Sequence, residues 1–232
     1  MNQSTWARLH LELRVTGIAA PVTALAAPLA GAVLVAALYA TGASPHNQDK
    51  AAGVVLAGFA PLAAATAASS VVGRDPGAEL VMTTTVYRRV LFLRAGLVVA
   101  GAALLTLLDA VAFHAMGAWP AGQGTGGYVL VWAPPMIWLV ALAVLIAVAL
   151  RSSAAASGLV GGVWLAQILM AHDILTNTVL RAQFMFMGVV DRVPAHEWNV
   201  NRIALPAVGV AAVVVAGVLL GRPERFLGRD AA

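Results

Sequence analysis

Asp109 stands inside the apolar run Ala95 to Met116 and is the only acid within any such run of the chain. A carboxylate in hydrocarbon costs several kcal/mol unless it is paired, protonated or facing water, so two roles are open to it. Either it lines a pathway for an ion or proton, or it is a neutral, hydrogen-bonded acid that holds helices together near the outer face. His114 comes five residues later, off the helical stripe of Asp109, which is a poor geometry for a proton relay between them. His46, His172 and His196 lie outside the apolar runs without the paired spacing of metal ligands, and read as interface histidines; no metal site is expected. Ser157-Gly158 superficially suits a serine nucleophile in a membrane, but the last apolar run holds no histidine to activate it. With zero cysteines the chain has no disulfides, thiolate metal sites or cysteine nucleophiles. Gly158 and Gly162 have the spacing at which helices pack closely, at a helix contact or a dimer seam.

A second group is polar and lies between apolar runs. In Gly73-Arg74-Asp75-Pro76-Gly77-Ala78-Glu79, an aspartate before a proline is a good helix start: Asp75 can cap the free amides, and Pro76 fits a first turn that needs no N–H. Glu79 then sits near the positive end of that helix dipole. Leu80, Val81 and Met82 offer an apolar patch for a partner or the inner leaflet, Thr83 to Thr85 weaken the helix, and Arg88 and Arg89 anchor the next span. This polypeptide has no Gly-x-x-x-x-Gly-Lys-(Ser/Thr) loop, and its only lysine, Lys50, lies elsewhere, so it cannot bind and split ATP by that route.

Composition dictates the scaffold for both groups. Hydrophobic residues make up 61% of the chain and charged ones 10%, and the mean hydropathy is +0.87; only a lipid-facing surface accommodates such a balance in 232 residues. Uncharged runs long enough to cross about 30 Å of hydrocarbon are Gly17 to Ala40, Ala51 to Val72, Ala95 to Met116, Tyr128 to Leu150, Ala154 to Ala171 and Ile203 to Leu220. The expectation is an all-α integral membrane protein with six transmembrane helices across residues 17–221, the fourth kinked at Pro134-Pro135. Residues 1–16 carry Trp6, Leu9 and Leu13 at helical spacing with Arg8, Glu12 and Arg14 elsewhere on the wheel, an amphipathic helix for the interface. Residues 73–94 form a cytoplasmic segment between the second and third spans, and 222–232 a cytoplasmic tail. The outer loop 173–202 has an apolar centre, Phe184 to Met187, too short to cross; it dips back into the bilayer or caps the outer face.

Orientation comes from the cations. Arg8, Arg14, Arg74, Arg88, Arg89, Arg94, Arg151, Arg222, Arg225 and Arg229 fall on one side of six alternating spans, against Lys50, Arg181, Arg192 and Arg202 on the other. That bias places both termini in the cytoplasm of a cell with this protein in its inner membrane. The sequence pI near 10.3 does not imply nucleic acid, because these arginines are dispersed at span ends where they anchor helices, with no continuous basic face.

At Glu79-Leu80-Val81-Met82-Thr83-Thr84-Thr85-Val86-Tyr87-Arg88 the chain resembles the permeases of type-2 ABC exporters. Their coupling helix, between spans two and three, reads like Glu-x-x-Gly-Thr-x-Glu-Leu-Leu-x-(Ser/Thr)-(Thr/Leu)-Pro-Val-x-Arg. In this chain the upstream acid is Asp75, Gly77 and Glu79 are one residue closer together, and Thr85 replaces the proline. The resemblance implies an interfacial N-terminal helix, six spans, and a re-entrant element before the last one. It implies ATPase coupling through Asp75, Gly77, Glu79, Leu80, Met82, Thr84 and Arg88. ATP and Mg would be held by a separate ATPase subunit, present in two copies, beside a second permease copy, with no cofactor in this chain. A secondary transporter or channel using Asp109 as its ion or proton site, and a membrane scaffold without transport, are the other expectations.

Overall fold

Lipid offers backbone amides no partner, so an apolar chain satisfies them within helices. The computed structural model describes residues 19–73, 87–119, 128–190 and 193–221, and every regular element in them is helical. In order these are α1 (Ala19–Ala40), α2 (Pro45–Val54), a π-helical turn (Val55–Phe59), α3 (Ala60–Gly73), α4 (Tyr87–Ala115), α5 (Tyr128–Leu150), α6 (Ser153–Leu169), α7 (Ala171–Thr176), α8 (Thr178–Arg181), a 3-10 turn (Met185–Val189) and α9 (Ala195–Leu220). Five helical stretches, Ala20–Ala40, Pro45–Val72, Arg89–Ala115, Val129–Leu150 and Ala195–Leu220, are long and apolar enough to cross a membrane, the make-up of a multi-pass membrane protein. The apolar α6 is shorter, at 17 residues. The expected N-terminal helix 1–16 and tail 222–232 lie outside the described residues.

Short corners force neighbouring helices to run antiparallel. After α1, Gly42 takes a φ of 69° and the Ala43 N–H reaches back to the Leu38 carbonyl at 3.0 Å, while the Ser44 hydroxyl caps α2 at the Asn47 amide and Pro45 opens that helix. The end of α4 repeats the device: Gly117 has a φ of 78° and the Ala118 N–H donates to the Phe113 carbonyl at 2.9 Å. Between α5 and α6 only Arg151 and Ser152 intervene, and the Ser152 hydroxyl accepts the Ala155 amide at 3.1 Å.

The second span lies at the centre, with 72% of its apolar window buried against 22% for α1 and α9. Alanine makes this possible: Ala60, Ala64, Ala65, Ala67 and Ala68 of α3 are fully buried, so α1, α4, α5 and α6 all approach it closely. Alongside it, α5 contributes to each of the three apolar clusters, through Val131 and Met136, through Trp138 and Leu139, and through Val144 and Val148. It meets α9 where Gly209 lies on Ile137 and Trp138; a Cβ at Gly209 would come within 3.1 Å of the Ile137 carbonyl.

Helices extend beyond the apolar runs. α2 begins at Pro45 rather than Ala51, α4 at Tyr87 rather than Ala95, and α9 at Ala195 rather than Ile203. Residues 87–94 are therefore helix, and Arg94 is 7% exposed rather than a solvated anchor. The hydrophobic pattern marks where hydrocarbon would begin, whereas a helix continues as long as its amides find carbonyls one turn back. Pro134 and Pro135 lie inside α5, which continues through both.

Candidate functional site

Of the residues expected to couple to an ATPase, Asp75, Gly77, Glu79, Leu80, Met82 and Thr84 lie outside the described residues. Arg88 falls in the first turn of α4. What is described is the frame around them: they join the end of α3, at the centre of the bundle, to the start of α4.

Asp109 is half-buried on α4, and its Oδ2 is buried with no hydrogen-bond partner. The ring of His114, further along the same helix, packs edge-on against Trp119 with centroids 5.6 Å apart. Gly158 and Gly162 are exposed on α6, and a Cβ on either meets nothing within 4 Å. They mark no helix contact within the described chain; their face, with Leu159 and Leu165, points outward. Among the described residues no group of three or more His, Cys, Asp or Glu could hold a metal.

The densest polar construction lies elsewhere, at the end of the bundle formed by the α1–α2 corner, the end of α4 and the start of α9. Here the chain after α8, through the 3-10 turn, folds inward as a plug, while α7 and α8 contain no buried residue. Phe184, Met185, Phe186 and Met187 are 3%, 0%, 5% and 1% exposed, packed against Leu62 and Ala65 of α3, Trp138 and Leu139 of α5, Val160 of α6 and Leu205 of α9. Phe186 reaches Gly58, in the π-helical turn, where the absence of a side chain leaves space for its ring. Trp164 stands on the other side, tilted against Phe59 at 5.2 Å and edge-on to Phe186 at 6.2 Å.

A plug without regular hydrogen bonding needs partners for its carbonyls and amides, and two buried amide side chains supply them. Asn201 of α9, fully buried, donates through Nδ2 to the carbonyls of Arg181, Ala182 and Phe184 at 3.0, 3.1 and 3.0 Å. Gln167 of α6 donates to the Gln183 carbonyl at 3.1 Å and accepts the Met185 amide at 2.9 Å. One helical turn before Asn201, Glu197 pairs with Arg181 at 3.0 Å and ties α9 to α8. At the same end of the bundle the Asp49 carboxylate takes the backbone N–H of Trp119.

Arg202 is the outlier of this end. It is 5% exposed, its Cζ lies 3.9 Å from the centroid of the Trp198 ring one turn earlier, and Nε, Nη1 and Nη2 are all buried without an acceptor. A guanidinium stacked on an indole and left without an acceptor is a costly group to bury.

None of Gln167, Asn201 and Arg202 is visible as a functional residue from the apolar pattern. Gln167 is a lone amide in an uncharged run, and Asn201 and Arg202 read as the border of a loop. Their placement inside the bundle results from α9 starting at Ala195, which puts Glu197 and Asn201 on one stripe and Trp198 and Arg202 on the next. Set beside protein-family models, curated proteins and solved structures, the chain has no match in any of the three.

Proposed function

We propose that the chain is the permease subunit of an ATP-driven exporter of the type-2 ABC kind, set in the cytoplasmic membrane by six helices with both termini inside. The observation that carries this reading is the acid-headed sequence Asp75 to Arg88, which follows the central helix α3. It leaves α3, which touches α1, α4, α5 and α6, and enters α4 directly. An ATPase pair closing on ATP and Mg would move that segment, and α3 and α4 with it, so that one arrangement of the spans is favoured over another. Hydrolysis belongs to the separate subunit, and this chain contributes no catalytic residue. A second permease copy completes the pathway, and the outward Gly158–Gly162 face of α6 is open to it.

The full-length protein, purified by a tag from the membrane of the cell that makes it, should bring ATPase activity with it. Glu79→Arg should release that activity while leaving the permease folded. A permease that transports at full rate with no ATP-hydrolysing companion sinks the proposal. The rival is a secondary transporter, favoured by the buried, unpartnered Oδ2 of Asp109. It requires the opposite pattern, with proton-coupled uptake abolished by Asp109→Asn and untouched by Glu79→Arg.

A further inference from the structure

We infer that the crevice between α4 and α9, at the end of the bundle that carries Arg88, Arg89, Arg94 and Arg151, holds the acyl chain of an anionic lipid whose headgroup meets Arg89. α9 lies on α5, whereas α4 packs mainly on α1 and α3, so α4 and α9 scarcely touch and stand as two walls. The space between them has a volume of about 400 Å³, lined by Phe92 of α4 and by Val213, Val214, Gly217 and Val218 of α9. Phe92 also packs against the third apolar cluster, with Val144 and Val148 of α5 and Ala216 and Leu220 of α9, so the crevice is backed by closed core. Gly217 keeps it open. A Cβ there would lie 4.0 Å from Cε2 of Phe92, and a larger side chain would bridge the two walls. Val213, Val214 and Val218 are 39%, 59% and 58% exposed, so the opening is outward, where a membrane has its hydrocarbon.

The lining selects the ligand. Its five residues are all apolar, so a hydrocarbon chain rather than a polar head fits between the walls. Away from the arginine-rich end the walls continue through Gly96 and Val210, each one turn further along its helix and exposed, a track for the rest of the chain. Toward that end, Arg89 precedes Phe92 by three residues, on the same face of α4, and is exposed. Side chains on a helix lean toward its N-terminus, so the guanidinium extends beyond the mouth to the level of a headgroup. A phosphate and a carboxylate both suit its fork of donors. The same cation disfavours a second copy as the occupant. Two chains apposed here about a two-fold axis along the membrane normal would bring Arg89 against Arg89. This assignment holds whatever energises the bundle.

The test is equilibrium binding of radiolabelled phosphatidylglycerol to the full-length protein, delipidated in neutral detergent, with competition by oleate or by phosphatidylcholine, which has no net charge. Phosphatidylglycerol should bind saturably, and phosphatidylcholine should compete about tenfold more weakly. Competition by oleate as strong as that by phosphatidylglycerol assigns an anionic head of either kind, and failure of oleate to compete assigns the phosphate. Arg89→Gln should bring phosphatidylglycerol and phosphatidylcholine to equal affinity without abolishing binding. Gly217→Leu and Val214→Trp, which fill the crevice from its wall and its rim, should each weaken the binding of both lipids about tenfold or more. An unchanged melting temperature of the delipidated protein checks that they fold, and if one does not fold the other decides. Saturable binding that neither filling variant weakens places the lipid elsewhere and overturns the proposal. So does a wild type without saturable binding, or a preference for the anionic lipid that survives Arg89→Gln. A change from dimer to monomer in the filling variants also overturns it, because the crevice is then an interface between copies.

Discussion

Asn201 holds more of the plug than any other described polar side chain. Its Nδ2 serves three carbonyls of the segment 181–184, and the residue is completely buried. Asn201→Ala would take the side-chain donor from the Ala182 and Phe184 carbonyls and leave that of Arg181 with the Phe184 amide alone, a loss of about 1–3 kcal/mol. Gln167→Ala removes one donor and one acceptor from the same segment and should cost less. The check is thermal unfolding of the purified variants, with limited proteolysis at 177–190 as the local readout: the plug should become cleavable in Asn201→Ala before the bundle melts. Equal melting temperatures for Asn201→Ala and wild type would show that the carbonyls find other donors. Asp109 presents the reverse case, a carboxylate oxygen buried with no partner at all. Composition singled it out because an acid in an apolar run is conspicuous, whereas an asparagine beside an arginine at the edge of a run looks like ordinary loop.

At the level of elements, hydrophobic runs identify helices well where lipid and protein both cover them. α5 occupies Tyr128–Leu150, the bounds its apolar run suggests, because it is buried along much of its length and carries no charge to obscure its ends. The helices whose starts lie outside the runs, α2, α4 and α9, begin with polar or charged turns: His46 to Lys50, Arg88 to Arg94, and His196 to Arg202. Their polar side chains are accommodated by contacts that no local pattern encodes, such as Asp49 on the Trp119 amide and Glu197 on Arg181. Helix-to-helix spacing is equally invisible in one dimension. Gly209 is one of 22 glycines, yet a Cβ there would sit 3.1 Å from Ile137 and 3.2 Å from Trp138. Gly209→Leu should therefore force α9 off α5 at a cost of about 1–3 kcal/mol, while Gly162→Leu, on an open face, should leave the isolated chain as stable as before. Thermal unfolding of the two variants in detergent makes the comparison, and equal losses would refute the close α5–α9 crossing.

For the molecule as a whole, the number of crossings turns on α6. At 17 residues it measures about 25 Å, somewhat under the hydrocarbon thickness, so length alone does not decide it. Connectivity argues that it crosses. The chain leaves α5 at Leu150 and turns within two residues into α6, whose Ser157 hydroxyl lies 3.2 Å from that of Ser69 near the end of α3. It must then reach the start of α9, where Trp198, like Met116 and Trp119 after α4, packs against the first apolar cluster at the opposite end. Because the protein contains no cysteine, single cysteines can be introduced one at a time and labelled with a membrane-impermeant maleimide in intact cells. His46→Cys and His172→Cys, both at exposed positions, should react from the outside. Ala154→Cys, at the start of α6, should react only after the membrane is opened. Labelling of positions 154 and 172 from the same side would mean that α6 does not cross. The charge bias toward an even number of spans would then fail, the termini would lie on opposite faces, and the segment Asp75 to Arg88 would need a different account of which compartment it meets.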